Sequence, residues 1–270
     1  MKEKTITFQE STVFYRTTGT GKTIVLVHGF CEDGSIWDRQ VDFLKDYFCL
    51  IIPDLPGSGQ SELVKNANIE TYAEAIKHIV DTELEGAGDS GETGHVILIG
   101  HSLGGYITLA FAEKYPQYLD AFGLFHSSAF ADDEEKKESR EKAIRVINNK
   151  GVTAFLKTLI PGLFTKDFAE ANPGIIDDLL KKGENFTSEA LVQYLNAMIA
   201  RPDRTSILKE FPNPILFIIG EHDTAIPLEI SLRQCYLPLV SHVNILANSA
   251  HMAMIEETEK SNEFLMKFLQ

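Results

Sequence analysis

Cysteine is scarce in this chain of 270 residues: Cys31, Cys49 and Cys235 are odd in number and too far apart for a Cys-x-x-Cys metal motif. That excludes a disulfide framework and suits free thiols in a reducing compartment. Long apolar runs are missing as well, so no stretch reaches the length of a bilayer span. The opening residues, Met1 to Glu10, contain no apolar block that would direct secretion, and the expected location is the cytoplasm. Positive charge is in deficit, with 25 Lys and Arg against 39 Asp and Glu for a net charge of −14. Such a surface repels phosphate backbones and anionic membranes, which argues against nucleic acid and lipid surfaces as partners. Tryptophan occurs once, and Trp37 reads as a packing anchor.

What is present is ordinary for a globular protein, 44% hydrophobic and 24% charged residues, arranged as alternating strand-like and helix-like segments. That alternation predicts an α/β fold: a mostly parallel eight-stranded sheet with helices on both faces. Strands are expected at Thr5 to Phe8, Val13 to Arg16, Thr23 to Val27, Cys49 to Ile52, Val96 to Ile99, Ala121 to Phe125, Ile215 to Ile219 and Val243 to Leu246. The first two are placed to pair as an edge hairpin, and the later ones read as buried on both faces. Helices are expected at Ile36 to Leu44, Glu70 to Leu84, Leu103 to Tyr115 and Glu256 to Leu269. The run from Gly86 to Gly94 reads as a flexible surface loop.

From Ala129 to Arg204 the alternation stops and successive helices follow, which predicts an inserted helical lid (129–204) on a core made of 1–128 and 205–270. Asp132 and Asp133 can cap a first helix running to about Asn149. Others are expected at Thr153 to Leu159, Asp167 to Ala171, Ile175 to Lys182 and Ser188 to Ala200. The insertion holds 12 basic and 13 acidic residues, so nearly all of the net charge belongs to the core. The charged run Asp132 to Lys137 reads as a solvated helix start.

The run Val96 to Ile99 leads into Gly100-His101-Ser102-Leu103-Gly104-Gly105, a strand driven into a Gly-x-Ser-x-Gly turn with a helix behind it. Glycines on either side of the serine allow the backbone to reverse sharply, and the bend lifts the Ser102 hydroxyl off the sheet edge as a nucleophile. A serine hydroxyl needs a base, and the base needs an orienting acid. His251 follows the last expected strand, at the sheet edge where Ser102 emerges. Asp223 lies at the same edge after the preceding strand and is the preferred acid, with Glu221 and Asp54 as competitors. Asp132 and Asp133 stand several residues beyond their strand's end, and Asp54 sits in a Gly- and Pro-rich stretch that suits a structural role. The backbone N–H groups of Phe30 and Leu103 are placed to form an oxyanion hole. His28 suits a turn-bracing role, and His101 and His222 suit packing or support. None of these histidines has metal-type spacing, and no metal is expected.

These residues resemble the α/β-hydrolase family, particularly its small lidded serine esterases. The resemblance rests on His28-Gly29-Phe30, Asp54-x-Pro56-Gly57-x-Gly59-x-Ser61, the turn around Ser102, Gly220-x-x-Asp223 with Pro227, and Ala250-His251. It implies, in order, an oxyanion loop, a structural loop, the nucleophile, the acid and the base. Ala250 departs from the usual glycine, and serine at 102 separates the chain from relatives with aspartate there, such as dehalogenases and epoxide hydrolases. The expected activity is hydrolysis of a small, uncharged acyl ester through an acyl-enzyme, without a cofactor, in a pocket lined by Phe130, Phe155, Leu163, Phe164 and Met252. Lactones, thioesters or activated carbon–carbon bonds are alternative substrates, and a ligand-binding signalling protein is the alternative of another class.

Overall fold

A computed structural model describes residues 1–86 and 95–270. The loop expected up to Gly94 lies outside the described residues apart from Gly86, which ends a helix. The strands are β1 Lys2–Phe8, β2 Ser11–Thr18, β3 Thr23–Val27, β4 Cys49–Pro53, β5 Val96–His101, β6 Leu119–Phe125, β7 Ile215–Gly220 and β8 Ser241–Leu246. They form one sheet in the order β1-β2-β4-β3-β5-β6-β7-β8. β1 and β2 pair antiparallel, β2 joins β4 antiparallel, and every later pairing is parallel. The hairpin is longer than its apolar run because its ends are polar and partly solvated.

The inner strands are continuous apolar runs, as a sheet covered on both faces requires; β5 and β7 are buried at every residue. β8 corrects the expectation: it is an edge strand whose Val243 and Ile245 are 41% and 44% exposed. The helices are α1 Asp38–Leu44, α2 Ile69–Gly86, α3 Leu103–Lys114, α4 Glu134–Lys150, α5 Val152–Leu159, α6 Lys166–Ala171, α7 Pro173–Gly183, α8 Ser188–Ala200, α9 Thr205–Glu210, α10 Leu228–Cys235, α11 Ala253–Glu256 and α12 Thr258–Leu269. The expected Ile36–Leu44 helix begins as a 3-10 turn, Gly34–Trp37, capped by Asp33. Trp37 is wholly buried, edge-on to Phe125 with ring centroids 5.4 Å apart.

Two features of this topology position a site. From β3 the chain moves outward to β4 and then returns to the other side of β3 as β5, so the strand order reverses between β3 and β5. A crevice opens at such a reversal beyond the carboxyl ends of the strands. Helices α4 to α8 all lie between β6 and β7, and the Arg204 N–H donates to the Ala129 carbonyl at 2.7 Å, so this excursion leaves and rejoins the core at one point. Asp133, Thr165 and Thr187 cap α4, α6 and α8 through their side chains. Asp132 does not cap; it is buried between Arg140 and Arg201.

Candidate active site

Ser102 stands directly between β5 and α3 with φ +50° and ψ −113°, a left-handed conformation that costs energy for any residue with a Cβ. Close packing holds it there. A Cβ on Gly100 would strike the Gly104 backbone, and one on Gly104 would strike the carbonyls of Val27 and His28. The Ser102 N–H donates to the Phe125 carbonyl at 2.9 Å, and Ser127 Oγ donates to the Ser102 carbonyl at 2.7 Å. These bonds leave the side chain at the head of α3, whose first amides have no intrahelical acceptor. Among the described residues neither the Phe30 nor the Leu103 N–H donates to a protein acceptor, so both remain available to a ligand.

Asp223 follows β7, and His251 lies on the loop between β8 and α11. His251 Nδ1 donates to Asp223 Oδ2 at 2.7 Å, leaving Nε2 as the free lone pair. Asp223 Oδ1 accepts from the N–H groups of Ala225 and Ile226 at 2.8 and 2.9 Å, which curls the acid loop around it. Burial alone would raise the Asp223 pKa; the pull of His251 and hydrogen bonds from two imidazoles overcome that and hold the carboxyl well below its usual range. Ser102 and His251 line the same cavity, but the Ser102 hydroxyl makes no hydrogen bond to His251 in this structure. Such contacts commonly tighten only when substrate binds. Of the competitors, Glu221 is exposed, and Asp54 accepts the N–H groups of Gln60 in its own loop and of Gly34 in the 3-10 turn after β3.

The second imidazole is His126, which sequence reasoning missed. It follows β6 with φ +48°, and its Nδ1 lies 3.2 Å from Asp223 Oδ2. Burial pushes its pKa down to about 4, so it is neutral near pH 7. Its single proton belongs on Nδ1, facing the carboxylate, with Nε2 accepting the Ala253 N–H at 3.4 Å. The other tautomer would suit the Gly220 N–H, 3.2 Å from Nδ1, but would set a lone pair against the carboxylate. His126, Asp223 and His251 bring three possible metal-ligand atoms within 4.8 Å of one another. Two of those contacts, however, are hydrogen bonds that commit the atoms to each other. Sequence could have flagged His126 by its place at the carboxyl end of a strand, the edge that holds Ser102 and Asp223.

Glu256 was also missed. Its carboxylate accepts the N–H groups of Ala250 and Met252, on either side of His251, and that of Thr165, so it fixes the base loop against the inserted helices. The His251 N–H itself donates to the Leu163 carbonyl at 2.9 Å. His28 braces its turn as expected: Nε2 accepts the Leu55 N–H at 2.9 Å, leaving Nδ1–H to donate to the Gly29 carbonyl at 2.8 Å.

His101 does more than pack, whereas His222 is exposed. His101 Nδ1 lies 2.9 Å from Glu32 Oε2, which also accepts the Gly29 N–H at 2.7 Å, and His101 Nε2 donates to the His251 carbonyl at 3.0 Å. Burial opposes both charges, but their mutual attraction and hydrogen bonds outweigh it, lowering the Glu32 pKa and raising that of His101. A buried ion pair therefore links the loop after β3 to the loop that carries His251. Glu32→Gln should cost about 3 to 5 kcal/mol by stranding the imidazolium. Because the Glu32 pKa falls below 4.5 and the His101 pKa rises above 6.5, the pair's contribution is complete between those values. It fades as pH falls through the Glu32 value or rises through that of His101. Thermal denaturation should show the largest wild-type-to-variant gap near pH 5.5, narrowing toward pH 9; a pH-independent gap would contradict the ionised pair.

The cavity above Ser102 holds about 210 Å3. Phe30, Phe155 and Leu163 line it; three other expected lining residues do not. Phe130 sits beneath the Arg233 guanidinium, Phe164 stacks on Phe168 at 5.4 Å, and Met252 is 1% exposed in the core. Their apolar character makes them wall candidates, but each packs against other neighbours. The expected apolar wall instead includes Lys136, Ser139 and Arg140 of α4. A wider cleft of about 630 Å3, bordered by Arg16, Asp54 and Lys182, contains none of Ser102, Asp223 or His251.

The sequence is 26% identical to a 2-hydroxy-6-oxononadienedioate/2-hydroxy-6-oxononatrienedioate hydrolase of Paraburkholderia phymatum, over 96% of this chain and 91% of that protein. It is 25% identical to a pimeloyl-[acyl-carrier protein] methyl ester esterase of Vibrio cholerae, over 95% and 97%. In structure it is similar to a thermophilic esterase from Thermogutta terrifontis, with a TM-score of 0.90, 27% identity and coverage of 100% of this chain and 98% of that one. The fold of an enol-lactonase from Burkholderia xenovorans is also similar, with a TM-score of 0.88 and 21% identity over 98% and 99% of the two chains. The profile of the alpha/beta hydrolase family matches residues 24–263, a span running from β3 past His251 into α12, and the chain belongs to that family.

Proposed function

We propose that this protein is a serine hydrolase that cleaves carboxylic esters with short acyl chains, the segment 129–204 serving as its lid over a core of 1–128 and 205–270. The observation that carries this reading is the His251 to Asp223 hydrogen bond beside a strained Ser102 at one cavity. Relatives named as esterases point the same way. His251 Nε2 takes the Ser102 proton as Oγ attacks the acyl carbonyl, and the N–H groups of Phe30 and Leu103 hold the oxyanion. The carbonyl–oxygen bond to the alcohol breaks, and the leaving alkoxide takes the proton from His251. Water then attacks the acyl-enzyme, giving its proton to Nε2, which returns it to Ser102 as the acid departs. Asp223 keeps the proton on His251 Nδ1 throughout, in the neutral ring and in the imidazolium that forms when Nε2 is protonated.

A fluorophosphonate should label the protein covalently, with the adduct mapping by peptide mass to Ser102. An adduct elsewhere would move the site, and no adduct together with tight small-molecule binding would favour the signalling alternative.

A further inference from the structure

We infer that the cavity above Ser102 is built for an acyl chain that ends in a carboxylate, received by Lys136 with Arg140 behind it. This inference rests on the serine-hydrolase reading and replaces the uncharged acyl group expected from an apolar pocket lining. Lys136 lies in α4 and lines the same cavity as Arg140, Ser102 and His251. Its Nζ donates to the Ala225 carbonyl at 2.9 Å, which fixes the ammonium against the acid loop. An ammonium has three donors, and among the described residues Lys136 forms no ion pair, so two donors remain for a ligand.

The surroundings reinforce the charge. Among the described residues Asp132 pairs with two buried or half-buried guanidinium groups, Arg140 Nε at 2.6 Å and Arg201 Nη1 at 2.8 Å. One negative charge against two leaves that cluster formally cationic, and Lys136 adds another. Glu32, also on the wall, is balanced by His101. Within the lining itself Lys136 and Arg140 are the lysine and arginine and Glu32 the carboxylate, so the cavity wall is cationic in a protein of net charge −14.

The remaining wall is apolar, from Phe30, Phe155, Leu159, Leu163, Leu195 and Met198, and suits methylenes. About 210 Å3 corresponds to roughly seven waters at about 30 Å3 each, below the usual range of drug-sized pockets. The chemistry favoured is therefore the half-ester of a short dicarboxylic acid, with its ester carbonyl at Ser102 and its free carboxylate at Lys136.

Monomethyl succinate and methyl butanoate offer nearly the same length with and without the charge. Methanol release should give a kcat/KM for the half-ester at least about tenfold above that of the neutral ester. Lys136→Gln should lower that ratio by about ten- to hundredfold, the worth of a charge-assisted hydrogen bond, mainly through KM for the half-ester. Lys136→Arg should restore most of it. A lysine that only staples α4 to the acid loop would lower both substrates together and leave the ratio unchanged, overturning the proposal. A wild-type preference for the neutral ester would overturn it too. Succinate binding by calorimetry keeps the test separate from turnover. Weakened binding in Lys136→Gln supports the anion subsite even if neither ester is cleaved, in which case only the hydrolase reading fails. Equal succinate affinities in wild type and variant count against the subsite.

Discussion

Ser102→Ala is expected to reduce kcat for short p-nitrophenyl esters by about a millionfold, the loss seen when a nucleophile acting as one unit with its base is removed. Folding should survive the change. Among the described residues the Ser102 hydroxyl makes no hydrogen bond, alanine meets the same φ of +50°, and the bonds that hold the turn use backbone atoms of residue 102. Tm should therefore stay within about 2 °C of wild type. Adding His251→Ala should cost little further, because a base without its nucleophile has no proton to accept. Steady-state assays of the two single variants and the double variant check both points, and multiplicative losses would mean that Ser102 and His251 do not act in one step. Wild-type rates in Ser102→Ala would end the catalytic assignment.

The second large effect is at Asp223. Asp223→Asn should lower kcat by about ten-thousandfold while leaving the fold intact, because an amide at this place can set an N–H against His251 Nδ1 and hold the imidazole in the wrong tautomer. The loss should be almost entirely in kcat, since the carboxylate is buried behind the histidines and does not line the cavity. The same carboxylate should mark acid stability. Its folded pKa lies below the ordinary 3.8, so its contribution is present above that value and disappears as pH falls through the depressed one. Denaturation followed below pH 4 should show a shallower acid limb for Asp223→Asn than for wild type. Identical limbs would mean that the two histidines do not stabilise the charge.

The elements that sequence reveals best here are those whose signal is local. β5 and β7 are unbroken apolar runs, α3 starts at a serine set between glycines, and the order of Ser102, Asp223 and His251 follows strand ends that can be located one at a time. Their supporting residues lack that kind of signal. Glu32 meets His101 across 69 residues, and His126 meets the Ala253 amide across 127, so no spacing in the chain announces either contact. Lys136 was hidden differently: it lies in a run of six charged residues that composition reads as solvent-facing, although one face of α4 turns inward. Phe130 and Phe164 in the insertion and Met252 beside the base show the reverse error, since an apolar side chain has several places to be buried and sequence does not choose among them. β8 reads as a buried strand because Val243, Ile245 and Leu246 are apolar, while only topology reveals that no described strand pairs with its outer edge.

The hydrogen bond between Arg204 N–H and the Ala129 carbonyl has a meaning for how this protein can be remade. A segment that departs and returns at one point is a cassette: it can be exchanged for another of different length without lengthening or shearing any strand. The exchange is not free, because the Leu163 carbonyl and the Thr165 amide reach out of the cassette to the His251 loop. A chimera that keeps the hinge but omits those two backbone groups would inherit a new substrate chamber over an unsupported histidine. Recruits for such a graft should be chosen first for a carbonyl that can meet the His251 N–H, and only then for the shape of the chamber.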